Sequence, residues 1–491
     1  MIELSLAEIA EIVSGRLVGD DGATTVTGRT DTDSRLIGLG DIFVAKPGEE
    51  TDGHLFAPAA VANGAALLIV DHELVGEGLG DALGHSLGDA LDDAPIDTLG
   101  GRKTPQIVVA DTVQALGALA TAVVARVRAQ GTLRVVGITG SNGKTTTKNL
   151  VAAMCERVGP TVSPRDSFNN EIGAPLTMLK VSWDTQFLVL ELGASGIGHI
   201  SRLTAMVHPD IAVVLMVGLA HAGEFGGVEA TVQAKAELLE ALTEQGVGIL
   251  NADDSRVMSM RSRVVGTTVL FGLTAGADVR ATDIEASLAG TSFTLHLADL
   301  PTRSVHFKVL GEHHVMNALA AAAVGVELGF SADTIVHALE SVERAEHWRM
   351  ELMGGNGVTV INDAYNASPD SMAAALKTLV LVAGPENRTI AVLGEMAELG
   401  EFSGEEHDRI ALLVVRLNIN ELVVVGAGAR RLHISAMNEG SWDGESKFFE
   451  TQDEAYDYLS GLLAVGDIVL VKSSNLSGLR FLGDRLGETY A

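Results

Sequence analysis

The chain has 491 residues, 47% of them hydrophobic and 4% aromatic, so at about 150 residues per domain it can build roughly three aliphatic cores without disulfide or metal support. Lys and Arg number 34 and Asp and Glu 64, giving 34 − 64 = −30, a field that excludes a general nucleic-acid or anionic-lipid binder but not a small anion held in a locally positive pocket. The one cysteine, Cys155, rules out an intrachain disulfide, fits a reducing cytoplasmic compartment and reads as a small helix-core residue.

Met1 to Ser5 lack the basic region and apolar run of a signal peptide. No apolar stretch approaches the roughly 18 residues of a membrane span; Ile211 to Ala220 is too short and reads as a buried strand.

Residues 1–108 form a first unit. Leu6 to Val13 has helical spacing, Asp41 to Ala45 reads as a strand, and Val61 to Val70 as helix, glycine turn and strand. Asp71 to Thr104 is acidic, glycine-rich and poor in large apolar residues, as expected of a surface insertion.

Residues 109–343 form the second unit. A helix is expected over Gln114 to Arg128, followed by apolar runs at Leu133 to Ile138, Phe187 to Leu192 and Ile211 to Val217. Continuous apolar runs separated by helical stretches imply parallel strands buried on both faces, and so a central doubly wound, mostly parallel sheet. Val264 to Leu310 reads as a small antiparallel edge.

Residues 344–491 form the third unit, with strands at Val358 to Ile361, Thr389 to Leu393, Glu421 to Val425 and Asp467 to Val471. Helical stretches such as Ser371 to Val382 and His407 to Arg416 lie between them, giving a smaller Rossmann-like sheet.

The strongest motif is Thr139-Gly140-Ser141-Asn142-Gly143-Lys144-Thr145, between an apolar strand and a helix running past Cys155. Strand, loop and helix in that order make a phosphate loop. Glycines let amides approach phosphate, the helix start adds donors, Lys144 supplies a cation and Thr145 a hydroxyl for Mg²⁺. The commoner longer motif has glycine where this chain has Ile138, so this is the short Gly-x-x-Gly-Lys-Thr form.

Glu191 and His221 follow other strands of the same expected sheet. Ligands bind beyond the carboxyl ends of parallel strands, so these two residues with Thr145 are candidate Mg²⁺ ligands beside nucleotide phosphates. Lys235 lies 14 residues beyond His221, since 235 − 221 = 14, where an ordinary exposed helix lysine would also fit.

Several stretches resemble the Mur ligase family of ATP-dependent ligases. They are Ser34-Arg35 with Gly40 to Ala45 and Asp52-Gly53-His54, Phe168-Asn169-Asn170-Glu171 to Thr177, and Glu191 to Ser195. The most discriminating are Asp363-Ala364-Tyr365-Asn366-Ala367-Ser368-Pro369-Asp370-Ser371-Met372 and Leu393 to Gly400. The resemblance covers essentially the whole chain.

It implies three α/β domains, ATP and Mg²⁺ as cofactors, and ADP-forming ligation of D-alanyl-D-alanine to UDP-N-acetylmuramoyl-tripeptide in peptidoglycan synthesis. It assigns Lys144, Glu191, His221 and Lys235 to catalysis, the last often carbamylated in the family and then a metal ligand with Thr145, Glu191 and His221. It places Asn317, Arg349 and Asp363 on ATP, and Ser34, Arg35, Asn169, Asn170, Tyr365 and Asn366 on the other substrates. A cytoplasmic monomer is expected.

Two departures stand out. His314 occupies a position where the family usually has Asn, and Lys472-Ser473-Ser474-Asn475 stands where Lys-Gly-Ser-Arg is common. The third ligase of the same pathway carries an Asp-Asn-Pro-Arg-like motif for its diamino acid, and Val358 to Ala491 contains none. Folylpolyglutamate synthetases share the phosphate loop but lack the Ser34 to His54 block. A nucleotide switch would not need that block, and a sugar-nucleotide kinase would release no inorganic phosphate.

Overall fold

The computed structural model describes residues 1–48, 51–74, 104–164, 167–218, 227–342, 347–439 and 442–491. The expected surface insertion falls almost wholly outside the described residues, as does His221. The chain contacts define two compact units. One comprises Met1–Val136, Gly159–Leu192 and Ser201–Pro209; the other Gly137–Val158, Gly193–Ile200 and Asp210–Ala491.

The first unit opens with the helix Leu6–Ile12, whose start is fixed by a reciprocal cap between Ser5 and Glu8. Its five-stranded sheet has the order Arg16–Val18, Gln106–Val108, Leu67–Val70, Ile42–Val44, Thr30–Asp31. Only the Arg16–Val18 edge is antiparallel. Leu67–Val70 is buried at every residue, the pattern of a central parallel strand. The long helix Thr112–Arg128 is capped by Asp111, which accepts from the amides of Val113 and Gln114. The parallel pair Thr161–Val162 and Phe187–Glu191 also belongs here.

In the second unit the helix Lys144–Glu156 follows the phosphate loop. Ile211–Val214, Val247–Asn251, Thr267–Gly272 and Val279–Ser287 run parallel in that order. The sheet then turns antiparallel through Gly290–Leu297 and Leu300–Phe307, the β-rich edge that the sequence leads one to expect. Cys155 is fully buried, and burial pushes its thiol up to about 12, so it is an inert core group.

The C-terminal sheet has the order Glu351–Gly355, Val358–Asn362, Asp467–Lys472, Arg388–Leu393, Glu421–Val425, Glu445–Phe449. All pairs are parallel except the first. Alternate residues of one strand serve opposite faces: Ala391 and Leu393 pack with Met372 and Leu376, whereas Ile390 and Val392 pack with Leu459 and Leu482. A sheet covered on both sides needs apolar residues at every position, so its strands carry no alternation. Among the described residues no helix is long and apolar enough to cross a membrane.

Candidate functional site

Gly143 sits at φ +84° immediately before the helix Lys144–Glu156. A β-carbon there would lie 2.2 Å from Asn317 Oδ1. Glycine therefore permits both the left-handed turn and the close approach of Asn317. Lys144 is half-buried and folds back on the loop, donating from Nζ to Gly140 O at 2.8 Å and to Ser141 O at 3.4 Å. The loop is anchored where Ser141 N donates to Met216 O and Gly218 N donates to Ser141 Oγ.

Beside the loop lies a cavity of about 260 Å³, lined among others by Gly143, Met216, Phe271, His313 and Asn317. An apolar slot with a few carboxamides, next to a phosphate loop, has the chemistry of a nucleotide-base pocket.

The C-terminal sheet brings further groups to the same loop. Arg349 Nη2 donates to Thr145 Oγ1 at 3.3 Å, and its guanidinium lies 4.1 Å from the centroid of the Tyr365 ring. Ser368 Oγ donates to Asn142 Oδ1 at 3.2 Å. Lys472, at the end of its strand, donates to Asp363 Oδ2 at 2.7 Å and to Asn366 O at 3.0 Å. Asp363 Oδ1 in turn accepts from Met350 N.

Lys235 is 4% exposed, in contrast to an ordinary helix lysine. Burial, with a smaller contribution from the Lys144 charge, lowers its pKa to about 7.

Thr139 to Thr145, Lys235, Asn317, Arg349, Asp363, Tyr365 and Asn366 thus lie in one unit. Ser34, Arg35, Asn169, Asn170 and Glu191 lie in the other. Glu191 is 1% exposed. Its Oε1 accepts from Asn169 Nδ2 at 2.7 Å, and its Oε2 is buried with no hydrogen-bond partner among the described residues. A buried carboxylate oxygen left over in this way suits a hard cation such as Mg²⁺, and in the other unit the Thr145 hydroxyl is an oxygen donor of the same hard type.

Asn170 Oδ1 accepts from Ile172 N and Gly173 N at the start of the helix Gly173–Met178. Ser34 is buried, and Arg35 is exposed and paired with Asp33. His54 shares Nδ1 with Asp52 at 2.6 Å, and its Nε2 accepts from Asp71 N.

Sequence reasoning did not single out Ser368, although it lies within a quoted stretch, nor Phe271 and His313 in the cavity wall. Phe271 lies in an apolar strand and His313 at the polar start of the helix Glu312–Glu327, and neither position carries a signal of its own.

Residues 138–325 match the Mur ligase middle domain, 348–475 the Mur ligase glutamate ligase domain, and 30–123 the Mur ligase family catalytic domain. The chain belongs to the Mur ligase family. Within it, the chain is 42% identical to UDP-N-acetylmuramoyl-tripeptide--D-alanyl-D-alanine ligase of Mycobacterium tuberculosis, over 99% of this chain and 98% of that protein. The crystal structure of MurF from Acinetobacter baumannii superposes with a TM-score of 0.85 at 31% identity, covering 99% of both chains. MurF ligase from Thermotoga maritima in complex with ADP gives 0.77 at 25%, covering 95% of this chain and 99% of that one.

Proposed function

We propose that this protein joins D-alanyl-D-alanine to UDP-N-acetylmuramoyl-tripeptide, with ATP converted to ADP and phosphate. The observation that carries this reading is likeness at 42% identity, end to end, to a ligase of that name. The absence of an Asp-Asn-Pro-Arg-like stretch after Val358 weighs against the diamino-acid ligase.

A carboxylate is a poor acylating group, so it must first be activated. An oxygen of the tripeptide carboxylate attacks the γ-phosphorus, the bond to ADP breaks, and an acyl phosphate forms. The dipeptide amine then attacks the carbonyl carbon. The tetrahedral intermediate collapses with phosphate leaving and the amine proton lost.

In this mechanism the loop amides and Lys144 hold the phosphates and offset their growing charge. Asn317 faces the base, while Arg349 and Asp363 hold the nucleotide from the C-terminal sheet. Ser34, Arg35, Asn169, Asn170, Tyr365 and Asn366 bind the other substrates. Thr145, Glu191, His221 and a carbamylated Lys235 would hold Mg²⁺, which supplies positive charge at the phosphates when bound. Fixing the reactants in line contributes up to roughly 7–11 kcal/mol of barrier reduction.

We also assign three domains, at residues 1–108, 109–343 and 344–491, in a cytoplasmic monomer. The test is ADP release. It should require both UDP-N-acetylmuramoyl-tripeptide and D-alanyl-D-alanine, and turnover with a free diamino acid on the dipeptide precursor would refute the assignment.

A further inference from the structure

We propose that His314 is the positioning residue for base selection: it holds the Asn317 carboxamide so that an acceptor oxygen, not a donor, stands at the wall of the nucleotide cavity. This rests on reading that cavity as the ATP base pocket.

Both residues are buried on the helix Glu312–Glu327, three positions apart and therefore on one face. Asn317 Nδ2 lies 3.2 Å from His314 Nδ1. A carboxamide nitrogen can only donate, so Nδ1 carries the lone pair and the ring proton sits on Nε2. Burial keeps the ring neutral, holding its pKa well below the usual histidine value, and His313, Arg349 and Lys472 add to that effect. His314 is thus a permanent acceptor toward Asn317.

With its nitrogen tied to His314, Asn317 directs Oδ1 toward Gly143, the oxygen lying 2.2 Å from where a Gly143 β-carbon would stand. Gly143 and Asn317 both line the cavity. A fixed acceptor suits the 6-amino group of adenine. A 6-oxo purine sets its own lone pairs against that oxygen, leaving a buried acceptor unsatisfied. A carboxamide free to rotate by half a turn would serve either base, and the bond to His314 removes that choice.

The experiment compares ADP with IDP by calorimetry, and ATP with ITP in steady-state turnover, because hypoxanthine replaces the 6-amino group with oxygen. Wild type should favour adenine by about tenfold or more. His314→Leu, which removes the acceptor, should bring that ratio toward one through the nucleotide KM and not through kcat. His314→Gln, which restores an acceptor, should keep it. An unchanged ratio in His314→Leu, or identical behaviour of the two variants, overturns the proposal.

Nitrogen NMR of wild-type His314 needs no variant. The Nε2-protonated tautomer supports the proposal and the Nδ1-protonated one overturns it. If wild type binds neither ADP nor IDP, the base-pocket reading falls and this inference with it. Binding of both with equal affinity overturns the inference alone.

Discussion

Lys472 Nζ lies 2.7 Å from Asp363 Oδ2, with the lysine side chain 3% and the aspartate 14% exposed. The two strands that carry them run side by side in parallel, Asn362 opposite Val471, so the pair forms where both strands end. Lys472 also bonds to the carbonyls of Asp363 and Asn366. It therefore neutralises one residue assigned to ATP and fixes the turn that carries Tyr365. This gives Lys472 a role that does not depend on the arginine replaced by Asn475.

Removing one member of a nearly dry ion pair strands the other charge. Lys472→Met should destabilise the protein by about 3–5 kcal/mol, measured as a fall in guanidinium midpoint. Asp363→Asn combined with Lys472→Met should recover part of that loss, since no buried charge is then left alone. A single variant as stable as wild type would mean that the pair contributes nothing.

Lys144 tests the phosphate loop separately from stability. Its Nζ donates to the carbonyls of Gly140 and Ser141 in its own loop, and its side chain is half-exposed. Lys144→Ala should keep the melting temperature within a few degrees while turnover falls by on the order of a hundredfold or more. Near-normal ADP release from a folded variant would remove the loop from the mechanism.

The strand–loop–helix around Gly143 and the apolar parallel strands were legible because each is a local pattern. Ile211–Val214 is buried at every position, and a run of that kind has few other uses. Glu351–Gly355 was not legible. It is mostly exposed and ends in glycines, and it becomes a strand only through its antiparallel neighbour. Glu445–Phe449 is likewise an edge strand with polar positions. In the site, Thr145 and Arg349 are 204 residues apart in sequence, so no spacing rule joins them. The burial of Lys235 was equally hidden, because a lysine in a helical pattern reads as a solvated face until tertiary packing covers it.

Histidine burial makes a prediction about pH. Burial lowers the pKa of His313 from 6.5 to about 4, with Asp363 opposing that shift and Lys472 assisting it; burial moves His314 the same way. Between those values the unfolded chain binds more protons than the native one, so stability falls as pH falls. The contribution is complete above about 6.5 and is lost as pH drops toward 4. Urea midpoints measured from pH 7 to pH 5 should decline, and His313→Gln should decline less steeply. Equal slopes in the two proteins would show that His313 titrates normally in the fold.

Lys235 carries the remaining prediction. With its pKa lowered to about 7, a large share of its amine is uncharged near neutrality, the form that adds to carbon dioxide. The product is a carbamate anion plus a released proton. That removes the repulsion with Lys144 and presents oxygen, which suits a hard cation, at a buried position. Lys235→Ala should lose most activity, and acetate or formate should restore part of it by filling the vacated anionic position. Wild-type activity should fall when bicarbonate and dissolved carbon dioxide are stripped from the buffer, and return when they are added back. If stripping has no effect and no short acid rescues Lys235→Ala, Lys235 acts as an amine and the carbamate is discarded.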